Sequence, residues 1–296
     1  MATQDGSTQE GSEPERSKGV WRSLSGDSRG GYGVNQQFSH GLKLERASHH
    51  LNSLDAKVRE WRKRKTHYYD SRFDRESGKQ FVYIRFTEPV PAEFRLIIGD
   101  CLHNLRSALD NLVYDLVIAY HGDLPPPQFV EYSEFPIFGP KAMSSSARQK
   151  RIGGIDPNAQ ALIEGLQPHN QGDEYASDPL WKLHQLSNMD KHRVPHVTQV
   201  AVKTYANFPD APHLPGIITI NLGPFEDGAE VASYTPATTT FAEDFDPEAH
   251  MDPLLTFGIS FGQGSPTEGM DCGVALSMLH SHIANVVLPD LEPFLI

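Results

Sequence analysis

Between Leu44 and Trp61 the apolar residues fall at Leu44, Ala47, Leu51, Leu54, Val58 and Trp61. Spacings of three and four predict one amphipathic helix with a single buried stripe. A second seam, Ile98, Leu102, Leu105, Leu109, Leu112 and Leu116, predicts a long helix from near Pro91 to about Tyr120. Proline is tolerated in a first turn, and Gly122 with Pro125-Pro126-Pro127 supplies the stop. A brief helix fits Pro157 to Leu166. A third main helix opens with Asp178 as N-cap and Pro179 at the first helical position, and ends near Arg193 before Pro195. The last helix places Cys272, Leu276, Leu279, Ile283, Val286 and Val287 on one face until Pro289 and Pro293 interrupt it.

Elsewhere the signals are β-like. FVYIRF (Phe81 to Phe86) predicts a strand that Pro89 and Pro91 close off. From Val197 to Phe261 the segments VTQVAVKTY, GIITINL, EVASY and LLTFGISF, separated by turn-forming residues, predict four strands of an antiparallel sheet. EFPIF (Glu134 to Phe138) is short and extended, and the Ser-rich stretch before Gly153-Gly154 reads as flexible surface. Residues 1 to about 38 carry almost no aliphatic side chains, a composition that predicts a disordered tail. The expected fold class is α+β: a four-helix-type bundle (39–195, completed by 266–296) with an antiparallel β-rich insertion (196–265) before its last helix.

Composition narrows the setting. A chain of 296 residues can bury a substantial core, and its two cysteines, Cys101 and Cys272, lie within predicted helices, so both are expected to be buried thiols in a reducing cytoplasm. No apolar run is expected to reach a membrane span, and the chain is read as soluble. The net charge of −12 opposes a surface that grips nucleic acid all over. Lys57, Arg59, Arg62, Lys63, Arg64 and Lys65 nevertheless form one basic run, read either as a solvated helix end or as a local anion-binding face.

Candidate chemistry sits on two helices. At about 100° per residue, His103, Arg106 and Asp110 share a face beside the leucine seam, where partial burial would force them to satisfy one another. On the third helix, Asp190 projects between Leu183 and Leu186 on the apolar stripe, with Arg193 one turn further and Lys191 and His192 alongside. A carboxylate there needs a donor, and Arg106, His103 and Arg193 are the candidates. The side-by-side packing of these two helices is therefore expected. One reading is a catalytic cleft in which arginines bind phosphate, a histidine moves protons and Asp190 orients. The other is a buried salt-bridge network. No metal or cofactor is expected: HExxH, Cys-x-x-Cys, GxGxxG, GxSxG and Walker-type loops are missing from the sequence, and the histidines of His49-His50 and His280-x-His282 cannot face one way on a helix.

The strings LHNLRSALDNLVYDL (Leu102 to Leu116), EFPIF, LIEGLQPH (Leu162 to His169) and LWKLHQLSNMDKHR (Leu180 to Arg193) together resemble a family of uncharacterised bacterial proteins. That resemblance covers about residues 95 to 195, and implies that the LRSALD and DKHR segments are the signature. A more distant likeness is to HEPN helical bundles, many of them metal-independent ribonucleases with an Arg-x(4–6)-His motif near the end of a late helix. Arg62 to His67 is the spacing that fits, at the end of an early helix instead. The likeness implies RNA or another phosphate-containing ligand as partner. The alternative is a non-catalytic binding or structural module.

Overall fold

A computed structural model describes residues 38–122, 125–192, 197–203, 216–221, 223–237, 246 and 255–296. The expected N-terminal tail lies outside the described residues up to position 37. The fold is α+β, with an antiparallel β-rich insertion before the final helix.

Four helices build the bundle: α1 (Ser39–Arg62), α2 (Ala92–His121), α6 (Pro179–His192) and α7 (Cys272–His282). The pairing of α1 with α2 is the most extensive, and α2, α6 and α7 all touch one another. Every residue of the α2 leucine seam is buried, and Ala47, Leu54, Val58 and Trp61 of α1 meet it in one continuous core. Burying apolar area at roughly 25 cal/mol per Å² is the main force holding the bundle. Pro91 takes the N-cap position of α2. Asp178 Oδ1 accepts the Leu180 N–H at 2.7 Å, the capping contact expected at the start of α6.

Between α2 and α6 the chain forms α3 (Pro127–Glu131), α4 (Ser145–Ile152), α5 (Pro157–Gly165) and a 3₁₀ stretch (Pro168–Ser177). The Ser-rich stretch before Gly153 is α4, not a loop. Ser144 caps it by accepting the Ala147 N–H at 3.2 Å. The EFPIF segment is extended and belongs to no strand; we call residues 134–138 the strap.

The final helix runs through a π-helical stretch (Ile283–Val287) into α8 (Leu288–Leu291). Pro289 therefore does not interrupt it. A proline ring clashes with the carbonyl four residues back in regular helix, and the wider π turn just before relieves that conflict. The segment Cys272–Phe294 is long and apolar enough to cross a membrane, at a mean hydropathy of 1.3, which corrects the expectation that no run is. Here one face of it, including Cys272, Leu276, Leu279, Ile283 and Val287, is packed into the bundle core.

The strands form two sheets. FVYIRF is the second strand of a hairpin, β1 (His67–Asp74) with β2 (Lys79–Phe86), turned at Gly78 with φ 68°. Strand β1 escapes the sequence reading because HYYDSRFD is polar on both faces; one of its eight residues, Tyr69, is buried. The insertion then contributes β3 (Val197–Lys203), β4 (Gly216–Ile220), β5 (Gly223–Phe225), β6 (Glu230–Pro236) and β7 (Leu255–Phe261). The sheets run β1-β2-β6-β4 and β5-β3-β7. The insertion is thus not self-contained: two of its five strands, β6 and β4, extend the hairpin that precedes α2. Val82, Ile84, Val231 and Tyr234 form a second small core there, whereas Val197, Ile259 and Phe261 of the other sheet join the bundle core.

Candidate functional site

Arg106 and Asp110 lie one turn apart on α2, so their side chains meet. Arg106 is 7% exposed, and its Nη2 donates to Asp110 Oδ1 at 2.8 Å, Glu134 Oε1 at 3.0 Å and the Phe135 carbonyl at 2.6 Å. Asp110 Oδ1 in turn accepts the Phe135 N–H at 3.1 Å. Both backbone polar groups of Phe135 are satisfied by α2 side chains. Burial pushes the Asp110 carboxyl above its ordinary range, and the Arg106 charge and the Phe135 N–H pull it partly back. Glu134 extends the network outward, its Oε2 accepting from Arg151 Nε on α4 at 3.2 Å.

Gln167 does for the far end of the strap what Arg106 and Asp110 do for the near end. It is 1% exposed; its Oε1 accepts the Phe138 N–H at 3.0 Å and its Nε2 donates to the Pro136 carbonyl at 2.9 Å. The Phe138 carbonyl accepts the His169 N–H at 3.1 Å. The strap therefore lies between LRSALD on one side and LQPH on the other, and Phe135 anchors it in the core. Three of the four strings singled out in the sequence converge on one piece of backbone.

A cleft of about 330 Å³ opens beside this network, lined by Asp110, Glu131, Tyr132, Ser133, Glu134, Lys150 and Arg151. Lys150 Nζ lies 4.4 Å from the centroid of the Tyr132 ring. His184 of α6, not singled out from the sequence, also belongs to this neighbourhood. It stacks on Trp181, and burial lowers its pKa, helped by the charges of Arg106 and Lys191. Its Nε2 is 3.0 Å from the Asn188 side-chain nitrogen. The spacing Trp181 to His184 was the available signal, since i and i+3 side chains share a helix face.

The remaining predicted site residues are not gathered here. Helices α2 and α6 do pack side by side, as expected. Their contact is close at Gly99, where an added Cβ would come 2.5 Å from Asp190 Oδ1. Yet Asp190 is not paired with Arg106, whose Nη2 is engaged by Asp110, Glu134 and Phe135, nor bonded to His103. Among the described residues it makes no hydrogen bond or ion pair, and burial and the neighbouring Asp100 push its carboxyl up while His103 draws it down. The Asp190 side chain is partly buried, and of its expected donors Arg106 and His103 do not bond it, whereas Arg193 lies outside the described residues. His103 is exposed, with Nε2 3.4 Å from Ser107 Oγ, and Lys191 is exposed too. Arg193 and the His192 side chain lie outside the described residues.

Arg62 ends α1 whereas His67 opens β1, so the Arg-x(4)-His spacing spans two elements instead of one helix. Five of the six cations of the basic run are ion-paired: Lys57 with Glu93, Arg59 with Asp55, Arg62 with Asp271, Lys63 with Glu60 and Arg64 with Glu88. Among the described residues no group of three or more His, Cys, Asp and Glu side chains is arranged to hold a metal ion. Both cysteines are buried thiols, with burial pushing Cys101 up to about 12. No family model, no curated protein and no solved structure matches this chain at a significant level.

Proposed function

We propose that the protein is a non-catalytic binding module, in which the Arg106–Asp110 pair clamps the strap onto α2 and so builds the wall of the adjacent cleft. The observation that carries this reading is the commitment of Arg106: its Nη2 is bonded to three protein acceptors inside a side chain that is 9% exposed. Asp110, Glu134 and the Phe135 carbonyl hold this cation as a structural clamp, and a phosphodiester would have to displace Glu134 to reach it.

The RNA-processing reading draws less support from the geometry, with Arg62 and His67 on separate elements and the basic run engaged by carboxylates. Incubation with labelled RNA in EDTA tests the choice. The expected result is intact RNA across a broad substrate panel. Cleavage by the wild-type chain that is abolished in Arg106→Lys or His184→Ala, both still folded, would replace the binding-module reading by the catalytic one.

A further inference from the structure

We propose that the cleft is a site for a small carboxylate-bearing ligand, and that Glu134 occupies the ligand's carboxylate position as an exchangeable internal substitute. This deepens the binding-module reading and rests on it. Two cations from different elements, Arg106 of α2 and Arg151 of α4, converge on the Glu134 carboxylate at 3.0 and 3.2 Å. Such a fork is a preformed carboxylate subsite. Its present occupant is the least tethered member of the network, with a side chain 49% exposed on the rim of open space.

The subsite survives the departure of Glu134, because Arg106 remains held by Asp110 at 2.8 Å and by the Phe135 carbonyl at 2.6 Å. It is also incompletely used. Arg106 Nη1 is buried without a hydrogen-bond partner, although Nη2 of the same planar group carries three. A buried donor left unmet destabilises the group that carries it. A ligand carboxylate takes the place of Glu134 between Arg106 Nη2 and Arg151 Nε.

Space and charge then define the ligand. The cleft volume of about 330 Å³ holds a small molecule. At roughly 30 Å³ per water, that is the space of about eleven waters. With Glu134 turned to solvent, the cleft lining keeps Arg151 and Lys150 against Asp110 and Glu131, and Arg106 adds its charge from behind Asp110. That surplus suits a monoanionic group at the fork. Lys150, which reaches over Tyr132 from the same wall, is placed for a second acidic group, so short dicarboxylates are the natural probes.

The test is thermal-shift and calorimetric titration of the full chain with succinate, glutarate and citrate, using inorganic phosphate and sodium chloride at matched ionic strength as comparisons. Each shift is read against that variant's own ligand-free melting point. Wild type is expected to bind one of the dicarboxylates weakly, Glu134→Gln to bind it at least about tenfold more tightly because the internal competitor has lost its charge, and Arg151→Gln to lose it. Arg151→Gln removes a partly exposed side chain, so the comparison stands even if Glu134→Gln fails to fold. Binding no tighter in a folded Glu134→Gln, no carboxylate effect at millimolar concentrations, or phosphate matching the carboxylates would each overturn the proposal. Failure of the clamp reading is separate: it appears as an unchanged ligand-free stability of Arg106→Met.

Discussion

Asp110 accepts the backbone N–H of Phe135 at 3.1 Å while Arg106, one turn earlier, donates to the Phe135 carbonyl at 2.6 Å, so two side chains of one helix do for this residue what a neighbouring strand does in a sheet. Residues 134–138 have no ladder partner. The backbone N–H and carbonyl of Phe135 and Phe138 and the Pro136 carbonyl are nonetheless met, because buried N–H and C=O groups left unpaired are costly.

Arg106→Met should therefore be strongly destabilising. It removes the cation from Asp110, whose carboxyl burial already pushes up, and leaves the Phe135 carbonyl without its donor. Breaking a buried pair by removing one partner costs about 3–5 kcal/mol. Urea unfolding at pH 7 measures it. The double variant Arg106→Met/Asp110→Asn should lose less than the sum of the single losses, since the second substitution neutralises the carboxylate that the first leaves stranded.

The other end of the strap gives an independent measurement. Gln167→Leu keeps bulk but orphans the Phe138 N–H and the Pro136 carbonyl, each bonded to this amide. At about 1–3 kcal/mol for a buried group left unmet, the loss should rival that of Arg106→Met. Hydrogen exchange should accelerate at the Phe138 amide first. Equal protection in the variant and wild type would mean that Phe138 is held by something other than Gln167.

How far the sequence foretold this arrangement depended on whether partners were local. The helical seams of α1, α2, α6 and α7 were legible because burial at three- and four-residue spacing is written into the chain itself. Arg106 and Asp110 were legible as a pair for the same reason. Their partners, Glu134 and Phe135, stand 28 and 29 residues from Arg106, and no local pattern reports such a contact. Asp190 was legible as a position on α6 only: it is partly buried near the C-terminal end of that helix, and Arg106, one of its expected donors, is turned to the strap instead. The pairing of β1-β2 with β6 and β4 was hidden likewise, since register over some 150 residues is set by packing and not by propensity.

Gly99 and Asp190 should be coupled. Gly99→Ala gains helix propensity worth up to about 1 kcal/mol, but its Cβ would stand 2.5 Å from Asp190 Oδ1. The obstacle is the tip of a half-exposed side chain, which can turn away. A small net change is expected for Gly99→Ala alone, and a gain in Gly99→Ala/Asp190→Ser, where the obstruction is shortened. If the single variant is strongly destabilised and the double is not improved, the approach of α2 to α6 is set by backbone contact instead.

The titratable groups give opposing pH dependences, which separates them experimentally. Asp190 has its pKa raised, so its contribution favours the folded state most below the ordinary aspartate value of 3.8 and is lost as pH rises through the folded value. Asp190→Asn should therefore melt higher than wild type at pH 7, with the difference closing toward pH 3.5. Burial lowers the pKa of His184, His280 and His282, and each resists protonation in the folded chain. For them the sign reverses: stability is fully present above the unfolded value of 6.5 and declines as pH falls through the folded values. Wild type should thus lose stability on going from pH 7.5 to 5.5, before the carboxylates begin to compensate. His184→Gln should flatten that slope with little change at pH 7.5, because a neutral amide replaces a ring that is neutral there. An unchanged slope in His184→Gln would place the acid sensitivity elsewhere, on His280 and His282 at the α7 terminus or on His50 of α1, whose pKa burial also lowers, and would mean that His184 takes up its proton without opposition from Arg106 and Lys191.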